Sequence, residues 1–174
     1  MSVLIAFGTV EGQSGKIACF IRDIATEAGI HTTLLDTCEI QGEVSFEGVD
    51  KVILAAPVHE RRHPKRFEEF VAAQRDSLAK RKSLVLSVSL KAAFLKSQEE
   101  AEDYLAEMLL RTHFEPDRTA LVAGAVHPEC YDYFETEIVR HVVLQEQRVD
   151  PRNGIQEFTD WDALRATVTA FLNE

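Results

Sequence analysis

A glycine-rich turn near the amino terminus carries the residues that are best suited to binding chemistry. The segment GTVEGQSGK follows a short apolar run that ends at Phe7, and a helical pattern follows the segment. Turns of this kind, between a strand and a helix, present backbone N–H groups that bind phosphate. The first lysine, Lys16, comes only at the end of the segment, and Glu11 adds a negative charge inside the turn. A phosphate site here would have to work without a lysine.

Two common phosphate motifs do not fit this turn, and a third pattern does. A P-loop needs a serine or threonine directly after its lysine, and the dinucleotide fingerprint needs a different glycine spacing. The remaining pattern is Thr-x-x-Gly-x-Ser, formed by Thr9, Gly12 and Ser14. In this pattern the two hydroxyls, the backbone N–H groups of residues 10–15 and the first helical turn would surround one phosphate. The alternative is a plain strand-to-helix turn in which Ser14 caps the helix.

Strands and helices alternate along the chain and would position this turn. Apolar runs predict five strands, and apolar residues at helical spacing predict helices between them. This alternation indicates a parallel sheet with helices on both faces, and five strands suit a doubly wound α/β fold with the order 2-1-3-4-5. The predicted strands are Val3–Phe7, His31–Leu35, Val49–Val58, Ser83–Leu90 and Arg118–Val126.

The predicted helices take their boundaries from glycine, proline and capping residues. Gly29 is expected to end the first helix, and Pro64 is expected to start the second. A third helix is predicted from Ser97 to Arg111, and an extra helix over 131–147 lies between the fifth strand and the last helix. Before that last helix, Thr159 and the acidic residue three positions later have the pattern of a capping box.

Composition limits the compartment and the partners. The chain has 174 residues, of which 45% are hydrophobic, and no apolar run approaches the roughly 20 residues that cross a bilayer. The amino terminus lacks the basic start and long apolar centre of a signal peptide. Cys19, Cys38 and Cys130 are isolated, which favours a reducing cytoplasm and gives no zinc or redox CxxC site. The net charge of −10 argues against nucleic acid and anionic membranes as partners.

Basic residues are concentrated in one part of this acidic chain. Residues 59–82 contain eight basic and four acidic residues, whereas residues 97–117 contain seven acidic residues and one basic residue, Arg111. The basic region begins directly after the third predicted strand, with Arg61, Arg62 and Lys65. Two interpretations remain open: a ligand site for anions, or two solvated helix faces that balance each other electrostatically.

The order of these motifs resembles a known family. TVEGQSGKIA resembles the FMN phosphate loop of flavodoxins, with Glu11 in place of the middle threonine. It is more similar to the flavodoxin-like, menaquinone-dependent protoporphyrinogen IX dehydrogenases, whose loop carries Asp-Gly-Gln-Thr. The likeness continues in RFEEFV, SVSL, PDRTALVAGAV and FTDW, and it covers essentially the whole chain. It implies a single flavodoxin-like domain over residues 1–174.

The resemblance also implies where FMN would bind. Three loops would share the cofactor: one for its phosphate, one along the flavin edge after the third strand, and one near the ring after the fourth. No side chain stands out as an acid or base, so the cofactor would carry the chemistry and no catalytic residue is assigned. The implied FMN-binding residues are Thr9, Val10, Glu11, Gly12, Gln13 and Ser14, then Pro57, Val58, His59 and Glu60, and finally Ser89, Leu90 and Lys91.

The implied function is electron transfer in haem biosynthesis, with a porphyrinogen as substrate and a quinone or redox protein as partner. Arg61, Arg62 and Lys65 would receive the propionates of the porphyrinogen, because guanidinium groups suit carboxylates. The predicted helix over 131–147 is acidic here, whereas the same region of the dehydrogenase is basic and apolar, which argues against membrane association. The alternatives are a flavodoxin-type electron carrier without a small-molecule substrate, and an interaction module that has lost FMN.

Overall fold

Five parallel strands form the central sheet of this computed structural model, which describes residues 1–40, 42–130 and 154–174. Their order is β2-β1-β3-β4-β5, as the alternation of elements predicts. Nearly all residues of β3 and β4 and the centre of β1 are buried, which is why these segments are continuous apolar runs. The strands are β1 (Ser2–Phe7), β2 (His31–Asp36), β3 (Lys51–Pro57), β4 (Lys82–Ser89) and β5 (Arg118–Ala123).

The prediction of one fifth strand through Val126 was wrong. β5 ends at Ala123, and the next two residues form a separate strand, β6 (Ala125–Val126), which pairs antiparallel with β7 (Gln156–Glu157). The break falls at Gly124, whose N–H donates to the carbonyl of Ser89 at 3.1 Å. Because β4 also ends at Ser89, the chain beyond Gly124 has no neighbouring strand to continue beside, and it turns to β7 instead.

Within the described residues, four helices cover the two faces of the sheet. The first and last pack on one face, and the second and third pack on the other, each with its own apolar cluster. None of the helices in the described ranges is long and apolar enough to cross a membrane. The extra helix predicted over 131–147 lies outside the described residues. The helices are α1 (Gln13–Glu27), α2 (Lys65–Leu78), α3 (Gln98–Thr112) and α4 (Trp161–Leu172).

The helix starts correct one capping prediction and exclude one alternative. Asp160, not Thr159, caps α4, and its carboxylate accepts from the N–H of Ala163 at 2.9 Å. The hydroxyl of Thr159 does not cap the helix; it donates to the carbonyl of Ala123, the last residue of β5, at 2.7 Å. The cap of α1 is Gly12, in the left-handed region at φ 92°. Ser14 therefore lies inside the first turn of α1 and is not its cap.

A buried lysine joins the central strand to the last helix. Lys51, the first residue of β3, is only 7% exposed. Its ammonium donates to the carbonyls of Phe171 and Leu172 at 2.9 and 2.8 Å, where α4 ends. The last carbonyls of a helix have no partner inside the helix and carry the negative end of its dipole. Lys51 therefore caps α4 from the middle of the sheet.

We expect Lys51→Met to lower the free energy of unfolding by about 1–3 kcal/mol, because the methionine keeps the packing and removes both charged hydrogen bonds. Urea unfolding followed by circular dichroism measures the change. The exposed Lys80→Met is the matched control, with an expected change of less than about 0.5 kcal/mol. Equal stability of the two variants would show that the contacts of Lys51 do not hold α4.

Candidate functional site

Three loops collect at one edge of the sheet. All five strands are parallel, so their carboxyl ends lie at the same edge, where doubly wound folds bind ligands. The first loop follows β1 and leads into α1, the second follows β3 and leads into α2, and the third follows β4 and leads into α3. These are the three loops in which the family resemblance implies a cofactor.

The first loop is a fixed turn that packs on α2. The hydroxyl of Thr9 accepts from the N–H of Gly12 at 3.0 Å, which closes the turn before α1 begins. Gly12 has φ 92°, a conformation that a side chain would strain. A Cβ at Gly8 would lie 3.2 Å from that of Phe67, so the chain enters the turn in close contact with α2.

Ser14 gives the first loop the character of a binding site. Its side chain is 1% exposed, and its Oγ has no hydrogen-bond partner among the described residues. Buried hydroxyls in proteins almost always have such a partner. This hydroxyl lies in the first turn of a 15-residue helix, where the backbone N–H groups also lack intrahelical acceptors. The arrangement fits an anion with several acceptor oxygens, such as a phosphate.

The lysine of the segment has a different partner. The ammonium of Lys16 contacts Glu157 of β7 at 2.5 Å. Gln13 donates to the same carboxylate at 3.1 Å and to the hydroxyl of Thr159 at 2.9 Å. Desolvation raises the pKa of Glu157, but the hydrogen bonds from Lys16, Trp161 and Gln13 outweigh it and hold the pKa below its ordinary value. These contacts join the start of α1 to the ribbon of β6 and β7.

The second loop turns sharply and approaches the first. His59 and Arg62 exchange backbone hydrogen bonds of 2.9 and 3.0 Å across Glu60 and Arg61. Both central residues have positive φ, 48° and 66°, which costs conformational energy in residues other than glycine. Nδ1 of His59 lies 3.8 Å from the carboxylate of Glu11, so an ion pair joins the second loop to the first when the histidine is protonated.

His63 lies beneath the second loop and not at its surface. It is 3% exposed, and its Nε2 lies 2.9 Å from the hydroxyl of Ser87 in β4. Its ring stacks on that of Phe67 with the centroids 6.4 Å apart. Burial lowers the pKa of His63 to about 4, which keeps the ring neutral at pH 7. Like Ser14, it has a buried polar atom, Nδ1, without a partner among the described residues.

The basic residues after β3 do not act as one cluster. Glu68 is 6% exposed and accepts from Arg62 at 3.0 Å and from Arg111 at 2.7 Å, which links α2 to α3. Desolvation raises the pKa of Glu68, but the hydrogen bonds of Arg111 and Arg62 outweigh it and lower the pKa. Lys65 contacts its helix neighbour Glu69 at 3.6 Å, and the guanidinium of Arg61 lies 6.0 Å from the ring centre of Tyr104.

The third loop is held by α3 and by the break after β5. The hydroxyl of Ser89 accepts from the N–H of Ala92 at 3.1 Å. The ammonium of Lys91 contacts Glu100 at 3.0 Å. Phe94 packs edge-on against Phe158, with ring centroids 5.5 Å apart, so this aromatic side chain has a packing role. The loop is therefore anchored on both sides.

One segment at this edge was missed by the sequence analysis. After β6 the chain continues through His127 to a 3₁₀ turn, Pro128–Cys130. Nδ1 of His127 lies 3.3 Å from the carboxylate of Glu129, and its Nε2 is buried without a partner among the described residues. Desolvation, Glu129 and Glu11 together raise the pKa of the Cys130 thiol. A lone histidine in a turn gave no sequence signal.

The buried histidine makes stability depend on pH. We expect the free energy of unfolding to fall by about 2 kcal/mol between pH 7 and pH 5, because the unfolded chain binds a proton near pH 6.5 and folded His63 does so only near pH 4. Urea unfolding at the two pH values measures this difference. The loss should largely disappear in His63→Gln and persist in the exposed His113→Gln. An unchanged loss in His63→Gln would assign the pH dependence to other groups.

Comparison with known proteins agrees with this architecture. The family model described as Flavodoxin domain matches residues 4–151. The Escherichia coli (strain K12) protein named Protoporphyrinogen IX dehydrogenase [quinone] is 27% identical over 164 residues, which cover 93% of this chain and 90% of that protein.

Solved structures show the same fold at low identity. Oxidised Flavodoxin 1 from Bacillus cereus superposes with a TM-score of 0.59 at 17% identity, covering 100% of this chain and 99% of that one. A Fusobacterium nucleatum flavodoxin variant bound to flavin mononucleotide has a TM-score of 0.52 at 13% identity, with 99% and 94% covered. The match of the family model over most of the chain, together with the strand order, shows that this chain belongs to the Flavodoxin domain family.

Proposed function

We propose that this protein is an FMN-dependent oxidoreductase similar to protoporphyrinogen IX dehydrogenase. The observation that carries the proposal is the hydroxyl of Ser14, buried and without a partner among the described residues at the start of α1. The dehydrogenase-like sequence over 93% of the chain and a neighbour solved with flavin mononucleotide support the choice of ligand.

The residues of the first loop fit a phosphate group. Ser14 offers a hydroxyl, and the N–H groups of the first turn of α1 supply further donors. Gly12, the N-cap of α1, has no side chain and no other atom close to the position of a Cβ, which leaves space for a ligand. Glu11 would repel a phosphate if its charge were unbalanced. The imidazole of His59, 3.8 Å away, offsets that charge when it is protonated. The donors in this proposal are hydroxyl and backbone groups, because Lys16 is engaged by Glu157.

The second and third loops would hold the ring system. Pro57, Val58, His59 and Glu60 would line one edge of the ring, and Ser89, Leu90 and Lys91 would lie on the other side. Bound FMN would supply hydride or electron transfer, and the protein would position it and shield it from water. Val10 is 53% exposed, and Leu95 is 86% exposed. We propose that these apolar side chains stand at the mouth of the site, where they would meet an apolar substrate or acceptor.

The proposed substrate is a porphyrinogen, and the proposed acceptor is a quinone or a redox protein. This choice follows the activity for which the E. coli relative, Protoporphyrinogen IX dehydrogenase [quinone], is named. Of the basic residues assigned to the propionates, Arg62 and Lys65 already have carboxylate partners in Glu68 and Glu69. Arg61, exposed at the tip of the second loop, is the one that we expect to contact a propionate.

We expect Ser14→Ala and Gly12→Val each to weaken FMN binding by about tenfold or more, because they remove a phosphate donor and distort the turn. Quenching of flavin fluorescence during titration measures the affinity. Ser77→Ala, at the far end of α2, is the matched control and should bind FMN like the wild type. A wild-type protein that binds no FMN would defeat the proposal and favour an interaction module.

We expect the FMN-loaded protein to oxidise protoporphyrinogen under nitrogen faster than free FMN does when a quinone is present. Arg61→Ala should raise KM by about twofold to fivefold, the range expected for one exposed charge pair. Arg75→Ala, remote on α2, is the control. Porphyrin fluorescence reports the rate. A rate no higher than that of free FMN would instead favour a flavodoxin-type electron carrier.

A further inference from the structure

The chain after β5 leaves the end of β4 and is joined to the start of α1 through the ribbon of β6 and β7. It starts at Gly124, whose N–H donates to the carbonyl of Ser89 in the third loop at 3.1 Å. It continues through β6 and His127 to the 3₁₀ turn Pro128–Cys130. Residues 124–130, which we call the crossing segment, therefore begin at the carboxyl edge of the sheet, where the three loops meet.

The ribbon of β6 and β7 fixes the middle of the crossing segment next to α1. Ala125 pairs with Glu157 in that ribbon. Glu157 in turn contacts Gln13 at 3.1 Å and Lys16 at 2.5 Å. The crossing segment is thus tied to the same helix start that holds Ser14.

His127 is the one histidine of this segment, and it has an unused nitrogen. Glu129 lies 3.3 Å from its Nδ1, which orients the ring, and only 16% of its side chain is exposed. Its Nε2 and the Oγ of Ser14 are two of the three buried side-chain polar atoms without a partner among the described residues. The first belongs to the crossing segment and the second to the start of α1, and the contacts of Glu157 join these two segments.

We propose that His127 is a further ligand of the cofactor and that its Nε2 donates a hydrogen bond to the phosphate of FMN. The inference rests on the proposed function. A ring that donates Nδ1–H to Glu129 and Nε2–H to a phosphate is an imidazolium, so His127 would bring a positive charge to the turn. Lys16 is paired with Glu157, so no lysine of the turn is available to a phosphate. The charge of His127 would take the role of that lysine.

The test compares FMN with riboflavin, which has the same ring system and no phosphate. Fluorescence-quenching titrations of the full chain would give the affinity for both flavins in the wild type, His127→Leu, His127→Gln and Glu129→Gln. We expect His127→Leu to weaken FMN binding by about tenfold or more and riboflavin binding by less than about twofold. His127→Gln keeps one hydrogen-bond donor, so its FMN affinity should fall less. Glu129→Gln should weaken the binding of FMN but not that of riboflavin.

His31→Gln is the control, because His31 is exposed at the first residue of β2, on the opposite edge of the sheet. Two results would overturn the proposal: FMN affinity unchanged in all three variants, or equal losses for FMN and riboflavin, which would move the contact away from the phosphate. Circular dichroism shows which variants fold. If a His127 variant does not fold, the FMN and riboflavin affinities of Glu129→Gln still test the proposal. Unchanged variants beside a wild type that binds FMN defeat this inference alone, whereas a wild type that binds no FMN defeats the proposed function as well.

Discussion

Burial of both faces of the central strands is the constraint on which the rest of the structure depends. β3 and β4 have almost no polar face, so helices must cover both sides of the sheet, and the connections must all return the chain to the same starting edge. The opposite edge then receives the carboxyl end of every strand together with the loops that follow. Burial of the apolar strands thus fixes the direction of the chain, and this direction brings the polar residues of the three loops close together.

The three buried polar atoms without partners follow the same geometry. Among the described residues they belong to Ser14, His63 and His127, and each of these lies in or directly after a loop at the carboxyl edge. Such atoms are costly in a folded protein, and structures usually avoid them. Their concentration at one edge separates this region from the opposite edge of the sheet, where buried groups such as Lys51 and Ser83 have their partners.

The sequence predicts the sheet order and the first loop because both depend on local patterns. Apolar runs locate the strands, and glycine with hydroxyl residues locates the turn. The capping of α4 was not predictable, because Thr159 and Asp160 are both good capping residues and a tertiary bond to Ala123 decides between them. The end of β5 was also not predictable, because the apolar run in the sequence continues past Gly124. The strand ends there because the neighbouring strand β4 ends at Ser89. The pairing of Glu68 with Arg111 was not predictable either, because the two residues are 43 positions apart and the spacing of apolar residues does not indicate such a contact.

The contact of Lys51 with the end of α4 has a consequence for how the chain folds. It joins residues 120 positions apart, and it connects a strand made early in synthesis to a helix made late. Contacts of such long range form slowly, since a large loop must close before they stabilise anything. During translation, β3 would therefore remain without its lysine contact until α4 has left the ribosome. In this interval the incomplete chain exposes apolar surface that can bind chaperones or aggregate.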